Sequence, residues 1–402
     1  MGILQKAAKI LFVCVHLILL SGCWDRTEVN DLALIVGLGI DQTKDGKIML
    51  TVELIVPRAI GGGGQMIGGG SDGGGGGGGG ETIIKSGTGV TVADAISSLQ
   101  EKLPRRVFWG HMKVIVFGEK AAKAGIRQHL DFLSRNPQTR LRSNVLVSEG
   151  TAKSVLELLS PIEQSSSEVM RELSESQLLL RVTVKDVLQM LSGDAGAAAL
   201  PMVKILPPEE GKKELQPIAF IQRTAIFKKD KMIGDINDKL TRGVLWLRNE
   251  INQANVTVTL KGEKGNITAT LIRAHTELIP KYEKGKWKMI VKATAEDDII
   301  LNGTKLNLMN PKYAKMIEKE LAKETNKRIR AALKKVQKEM KADIFGFAEV
   351  FHRKYPREWN RVKDRWEEIF PDVEVIVKTK AYVRRPGIGT VPQGLPEQEV
   401  KQ

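Results

Sequence analysis

Residue types able to do chemistry are scattered through this chain of 402 residues. Its five histidines are His16, His111, His129, His275 and His352. None forms the H-E-x-x-H pattern that places two ligands on one helix face, so no zinc site is expected. The two cysteines, Cys14 and Cys23, lie near the N-terminus, which leaves no cysteine-based cluster and no disulfide framework. No G-x-S-x-G nucleophile elbow occurs. Gly37-Leu38-Gly39 lacks a third glycine and runs into Asp41 rather than a helix, so it does not read as a dinucleotide site. The carboxylates are numerous, but nothing in their spacing pairs two of them at catalytic distance. The expectation is a protein with no catalytic residues, no cofactor and no metal, and therefore not an enzyme.

The thiol of Cys23 stands apart because of what precedes it. Lys6 and Lys9 supply a short positive region. Ile10 to Leu20 is an apolar run of 11 residues, interrupted only by His16. That is shorter than the roughly 20 residues a membrane-spanning helix needs, and it suits the core of a signal peptide. Leu20-Ser21-Gly22-Cys23 then resembles the lipobox of bacterial prolipoproteins. By that resemblance residues 1–22 are a signal peptide, cleavage precedes Cys23, and Cys23 is the lipidated residue. Acylation with diacylglycerol gives two chains, and a single chain binds a bilayer only marginally.

The net charge is +15. A basic chain suits polyanions. An exported protein rarely meets nucleic acid, so no nucleic-acid partner is expected. A lipid surface or an acidic wall polymer is the natural counter-charge. The basic face predicted between Lys323 and Lys338 reads first as a solvated helix face.

The elements after Cys23 predict an α+β fold in three mixed sheet-and-helix parts. The first is 23–192. Ala33–Ile40 and Ile48–Val56 form a hairpin around Asp45-Gly46, and residues 61–80, with 15 glycines in 20, are a flexible inserted loop. A strand at 81–85, a helix at 91–103 and one buried strand at 107–117 follow. Helices then fit 119–134, 151–159, 162–175 and 183–191. Residues 193–208, rich in small residues and proline, read as a linker. A small, mostly β middle part occupies 209–273, with strand candidates that include Val244–Leu247. The last part, 274–402, carries alternating strands and then a long basic helix opening at Asn310-Pro311. A short helix bearing Trp359 and Trp366 follows, and a closing strand spans 373–383. The tryptophans, seven residues apart on one face, read as core. His111, in an apolar strand, reads as a satisfied core or edge histidine.

Several stretches resemble the C subunit of spore germination receptors, the Ger(x)C lipoprotein family. They are Cys23-Trp24-Asp25-Arg26-Thr27-Glu28-Val29 with Gly37 to Asp41, Phe108 to Gly118, Thr224 to Lys228 with Arg242 to Trp246, and Asp343-Ile344-Phe345-Gly346-Phe347. His352-Arg353-Lys354, Trp359 and Trp366 complete the set. Together they run in order through nearly the whole chain. The glycine tract at 61–80 departs from the pattern, as does Ala348, where a glycine is half expected.

The resemblance implies a three-domain α+β lipoprotein on the outer face of the spore inner membrane. It would act with membrane-embedded A and B subunits in nutrient-triggered germination. The ligand site would belong to the B subunit, so only Cys23 receives a role here. The competing reading is an anchored solute-binding lipoprotein that delivers a small molecule to a transporter. Such proteins show βαβ repeats, which this chain lacks.

Overall fold

The computed structural model describes residues 31–55, 82–158, 163–176, 178–207, 217–387, 389 and 396–401, together with residues 2, 5–8 and 12. Cys23 and the glycine tract at 61–80 lie outside the described residues.

Strands β1 (Leu32–Gln42) and β2 (Ile48–Ile55) pair antiparallel around the Asp45-Gly46 turn, as the hairpin pattern requires. β3 (Thr82–Gly89) pairs antiparallel with β2, so the 56–81 connection leaves and re-enters at the end where β1 begins. Helix α1 (Val92–Gln100) starts in a capping box. Thr91 accepts from the Asp94 N–H, and the Asp94 carboxylate accepts from the Thr91 N–H.

The single strand expected at 107–117 is two. β4 (Arg106–Phe108) and β5 (Val114–Gly118) both lie parallel to β1, separated by an excursion over 109–113. His111 sits exposed on that excursion rather than in the core. The helix expected at 119–134 is likewise broken. α2 (Glu119–Ala124) and α3 (Arg127–Arg135) meet at Gly125 and Ile126. β6 (Asn144–Ser148) is fully buried and parallel to β5. α4 (Ala152–Leu156), α5 (Ser166–Glu175) and α6 (Val184–Ser192) follow, each opened by a Thr or Ser cap.

The linker expected at 193–208 is mostly β7 (Ala197–Leu206), an interior strand between β6 and β8 (Ile218–Lys228). Its alanines read as open chain but are buried, because β7 is covered on both faces. β7 ladders with β6 only over Met202 and Val203, so Pro201 lies outside that ladder. β9 (Lys231–Asn237) closes the sheet. Among the described residues this sheet runs β3-β2-β1-β5-β6-β7-β8-β9, with β4 beside β1. The segment 209–273 therefore does not stand by itself, since β8 and β9 extend the first sheet.

α7 (Asp238–Arg248) contains Val244–Leu247, expected as a strand. A continuous apolar run carries no period to separate a buried helix from a buried strand. Asn237 caps its start, and Asn249, at φ +58°, ends it. β10 (Asn255–Val258), β11 (Ile267–Glu283), β12 (Lys286–Asn302) and β13 (Glu374–Arg385) form a second sheet in that order. β11 runs straight across the expected boundary between 273 and 274. α8 (Pro311–Ala332) opens at Asn310 with proline in its first turn and continues as a π-helix over Leu333–Met340. Ile317, Leu321, Ile329, Leu333 and Val336 are buried along one face of this helix, and Met340 at its end is half-buried. The charged face is balanced in part by short-range pairs such as Lys323–Glu320 and Lys335–Glu339.

α9 (Phe347–Lys354), α10 (Pro356–Trp359) and α11 (Trp366–Ile369) complete the helices; the tryptophan helix is thus two short pieces. The fold is α+β, and one continuous apolar core spans both sheets, from Ile35 through Trp246 to Trp366.

Candidate functional site

Among the described residues, several that carried the family resemblance sit in buried polar knots. On β1 and β2 two carboxylates point into the fold. Asp41 accepts from the N–H groups of Ala152 (2.8 Å) and Lys153 (3.0 Å), at the start of α4. Glu53 accepts from the N–H groups of Ser166 (3.1 Å) and Ser167 (2.9 Å), and from both hydroxyls, at the start of α5. Negative charge at a helix N-terminus meets unpaired N–H groups and the positive end of the dipole. Burial nevertheless pushes both carboxyls above their ordinary range. Gly118 faces Asp41 so closely that any Cβ there would overlap its Oδ1.

The last motif folds around Asp343, which is buried. It accepts from the N–H groups of Phe345 (3.3 Å), Phe347 (3.2 Å) and Ala348 (2.8 Å), and from the Trp366 indole at 3.0 Å. The Phe347 and Ala348 donors are the first turn of α9. Gly346 precedes that turn at φ +79°, a conformation that glycine adopts without a Cβ clash. Desolvation, and then the charge of Glu349, push the Asp343 carboxyl up to about 6. Around it, Trp287, Phe351, Trp359 and Trp366 form edge-on ring contacts, the closest being Trp287–Phe351 at 4.9 Å and Trp359–Trp366 at 5.0 Å, and Phe370 lies tilted against Trp366.

A cavity of about 270 Å³ lies beside Asp343, between α6, the end of α7 and the 343–349 loop. Gln189, Met190, Arg248, Glu250, Asp343 and Glu349 line it. Arg248 grips Glu250 with two donors and gives a third to the Ile344 carbonyl at 3.1 Å. Glu349 accepts from the Ala195 N–H at 3.3 Å, and His352 Nδ1 lies 2.7 Å from Asp194. These contacts fasten the first sheet's α6–β7 corner to the last part of the chain. They hold elements in place and present no nucleophile beside a base.

The middle motifs are also structural. Thr224 and Thr241 share a buried hydroxyl contact at 2.8 Å, and Gly243 lets α7 approach the Arg328 carbonyl of α8. Lys113, in the Phe108–Gly118 stretch, pairs with Glu168 on α5.

Sequence reading missed His129, which is buried on α3 against Phe117 at 6.0 Å, with Nδ1 unpartnered. Burial drops its pKa to about 4. Its place in the apolar stripe of Ile126, Leu130 and Leu133 was the available signal. Among the described residues no cluster of three or more metal-ligating side chains occurs. No helix among them is long and apolar enough to cross a membrane.

The chain folds as two helix-covered sheets, with buried carboxylates at helix starts. Family models place it further: "Spore germination protein N-terminal domain" matches residues 25–205, and "Spore germination B3/ GerAC like, C-terminal" matches 222–387. The chain belongs to this spore germination family. It is 29% identical to spore germination protein KC of Bacillus subtilis (strain 168), over 96% of this chain and 98% of that protein. Spore germination protein B3 of the same organism is 24% identical, over 92% and 96%. The crystal structure of the GerBC protein shares the fold at a TM-score of 0.56 and 22% identity, covering 87% of this chain and 97% of that one.

Proposed function

We propose that the chain is the lipid-anchored, non-enzymatic subunit of a nutrient germinant receptor, needed for nutrient-triggered spore germination. It is exported by its signal peptide and acylated on Cys23, and it sits on the outer face of the spore inner membrane beside membrane-embedded A and B subunits. The observation that carries this reading is the ordered match of both family models along the chain, with relatives covered almost end to end. An assembly role is supported by the use of Asp41, Glu53 and Asp343, whose carboxylates are committed to capping helices. The test is nutrient-triggered dipicolinic acid release from spores lacking the gene. Loss of the response to one nutrient class, restored by the wild-type chain, supports the reading. A normal response to every nutrient, maintained after related receptors are also deleted, overturns it.

A further inference from the structure

The strands of the first sheet bring a cluster of cations to one end. Arg106 starts β4 and lies opposite Leu32, at the start of β1. Lys102, just after α1, is not part of this cluster, because its Nζ donates to the Ser86 carbonyl at 2.8 Å, level with Gly39 on β1. The 136–142 loop before β6 packs against the 109–112 excursion: Gln138 accepts from the Trp109 N–H, and Ser143 donates to the Met112 carbonyl. That loop delivers Arg140, Leu141 and Arg142. Lys185 joins them, because its N–H donates to the Leu141 carbonyl.

Arg106, Arg140, Leu141, Arg142 and Lys185 are all exposed, Leu141 at 45%. Among the described residues none of these four cations forms an ion pair. The exposed carboxylates here include Asp31 beside the start of β1 and Glu175, which pairs with Arg171 and Arg181 next to Asn144. The opposite end mixes its signs, with Lys47 on Asp45, Lys123 on Glu119 and Lys204 on Glu149.

The chain enters the fold at this end. Asp31 follows Cys23 by eight residues, a span of at most about 28 Å when fully extended. An acylated Cys23 therefore keeps this end, and no other end of the sheet, within a short tether of the bilayer. Cations act on an anionic leaflet only within about a Debye length, roughly 8 Å at physiological ionic strength. The tether supplies the high local concentration that makes such a weak second contact effective. An apolar side chain set among the cations suits the headgroup boundary.

We infer that the Arg106–Arg140–Arg142 end of the first sheet is a membrane-docking face that seats on anionic phospholipid headgroups and fixes the orientation of the anchored protein. The inference rests on acylation of Cys23.

The test uses the full-length mature lipoprotein, bound to vesicles through its own acyl chains. Leu141→Cys supplies a labelling site, since Cys23 is acylated. An environment-sensitive fluorophore there is read against quenchers carried on lipid. Quenching is expected on vesicles containing phosphatidylglycerol and not on phosphatidylcholine alone. It is expected to disappear in high salt, and on combining Arg106→Glu, Arg140→Glu and Arg142→Glu, while the protein stays vesicle-bound. Equal quenching on both lipids, no quenching on either, or quenching that survives the charge reversal overturns the docking face. Failure of the wild type to stay on either vesicle instead overturns the anchoring reading, and the docking face falls with it.

Discussion

The Trp366 indole N–H donates to Asp343 Oδ2 at 3.0 Å, joining the aromatic core to a carboxylate that also takes the first N–H groups of α9. The relationship couples two levels of structure. The carboxylate positions α9, α9 presents Phe351 to Trp287, and the same carboxylate fixes the orientation of Trp366. A buried group with several donors is stable only when all of them stay in register.

Asp343 gives the fold a pH signature. Its carboxyl is pushed up to about 6 in the folded chain, from an ordinary value of 3.8. The folded state therefore binds the proton more tightly than the unfolded state does. Stability from this group is greatest below about 4 and is lost as pH rises through 6, at up to about 1.4 kcal/mol per pH unit. Thermal melts of the wild type and Asp343→Asn check this. The difference in their melting temperatures should shift in favour of the wild type as pH falls from 7 to about 4.5. A difference that grows toward neutral pH would falsify the assignment.

His129 should do the opposite. Its pKa falls from 6.5 to about 4 on burial. Between those values the unfolded chain holds more protons than the folded one, so this group's stability is lost as pH drops from 6.5 toward 4. His129→Leu removes the charging site and keeps an apolar filler. Its urea midpoint should be less sensitive to acid over that window than the wild-type midpoint. Parallel midpoint curves for the two proteins would place the acid sensitivity elsewhere.

Legibility of the fold followed local signals. The β1–β2 hairpin and α8 were readable because Asp45-Gly46 and Asn310-Pro311 act within a few residues. β7 was not readable. Ala197 to Pro201 carries no alternation and resembles a linker, and only coverage by neighbours on both faces makes it a strand. α7 was misread because a helix buried on most sides shows no polar period around Val244–Leu247. Of the polar knots, the sequence offered Asp343-Ile344-Phe345-Gly346-Phe347 as a string and could not say what it joined. The donors to Asp343 come partly from Trp366, 23 residues away, and Asp41 meets Ala152 across 111. Such partners are set by tertiary packing.

The Asp41–Gly118 contact predicts strong coupling. A Cβ at 118 overlaps the Asp41 carboxylate, which is fixed on the α4 N-terminus. Gly118→Ala should cost on the order of 1–3 kcal/mol by displacing it. Asp41→Ala removes the acceptor for the Ala152 and Lys153 N–H groups, leaves the Thr151 cap, and should cost about 1–2 kcal/mol. In the double variant the methyl group enters space that the carboxylate has vacated, so the two losses should fall short of additive. Chemical denaturation of the four proteins gives the cycle, and strict additivity would mean that the alanine finds room without moving Asp41.

In the proposed reading membrane retention rests on Cys23. Among the described residues no helix is long and apolar enough to cross a membrane, and in that reading the acyl chains on Cys23 hold the cleaved protein. Two chains suffice for stable anchoring, whereas surface charge by itself gives weak, salt-sensitive contact. Cys23→Ala should abolish palmitate labelling. Because an uncleaved signal could itself hold the variant, processing is followed by gel mobility. Any fraction that is cleaved without acylation should leave the membrane on a high-salt wash that keeps the wild type. Labelling of the variant at the wild-type level would remove Cys23 as the acylated residue, and with it the tether that orients the first sheet.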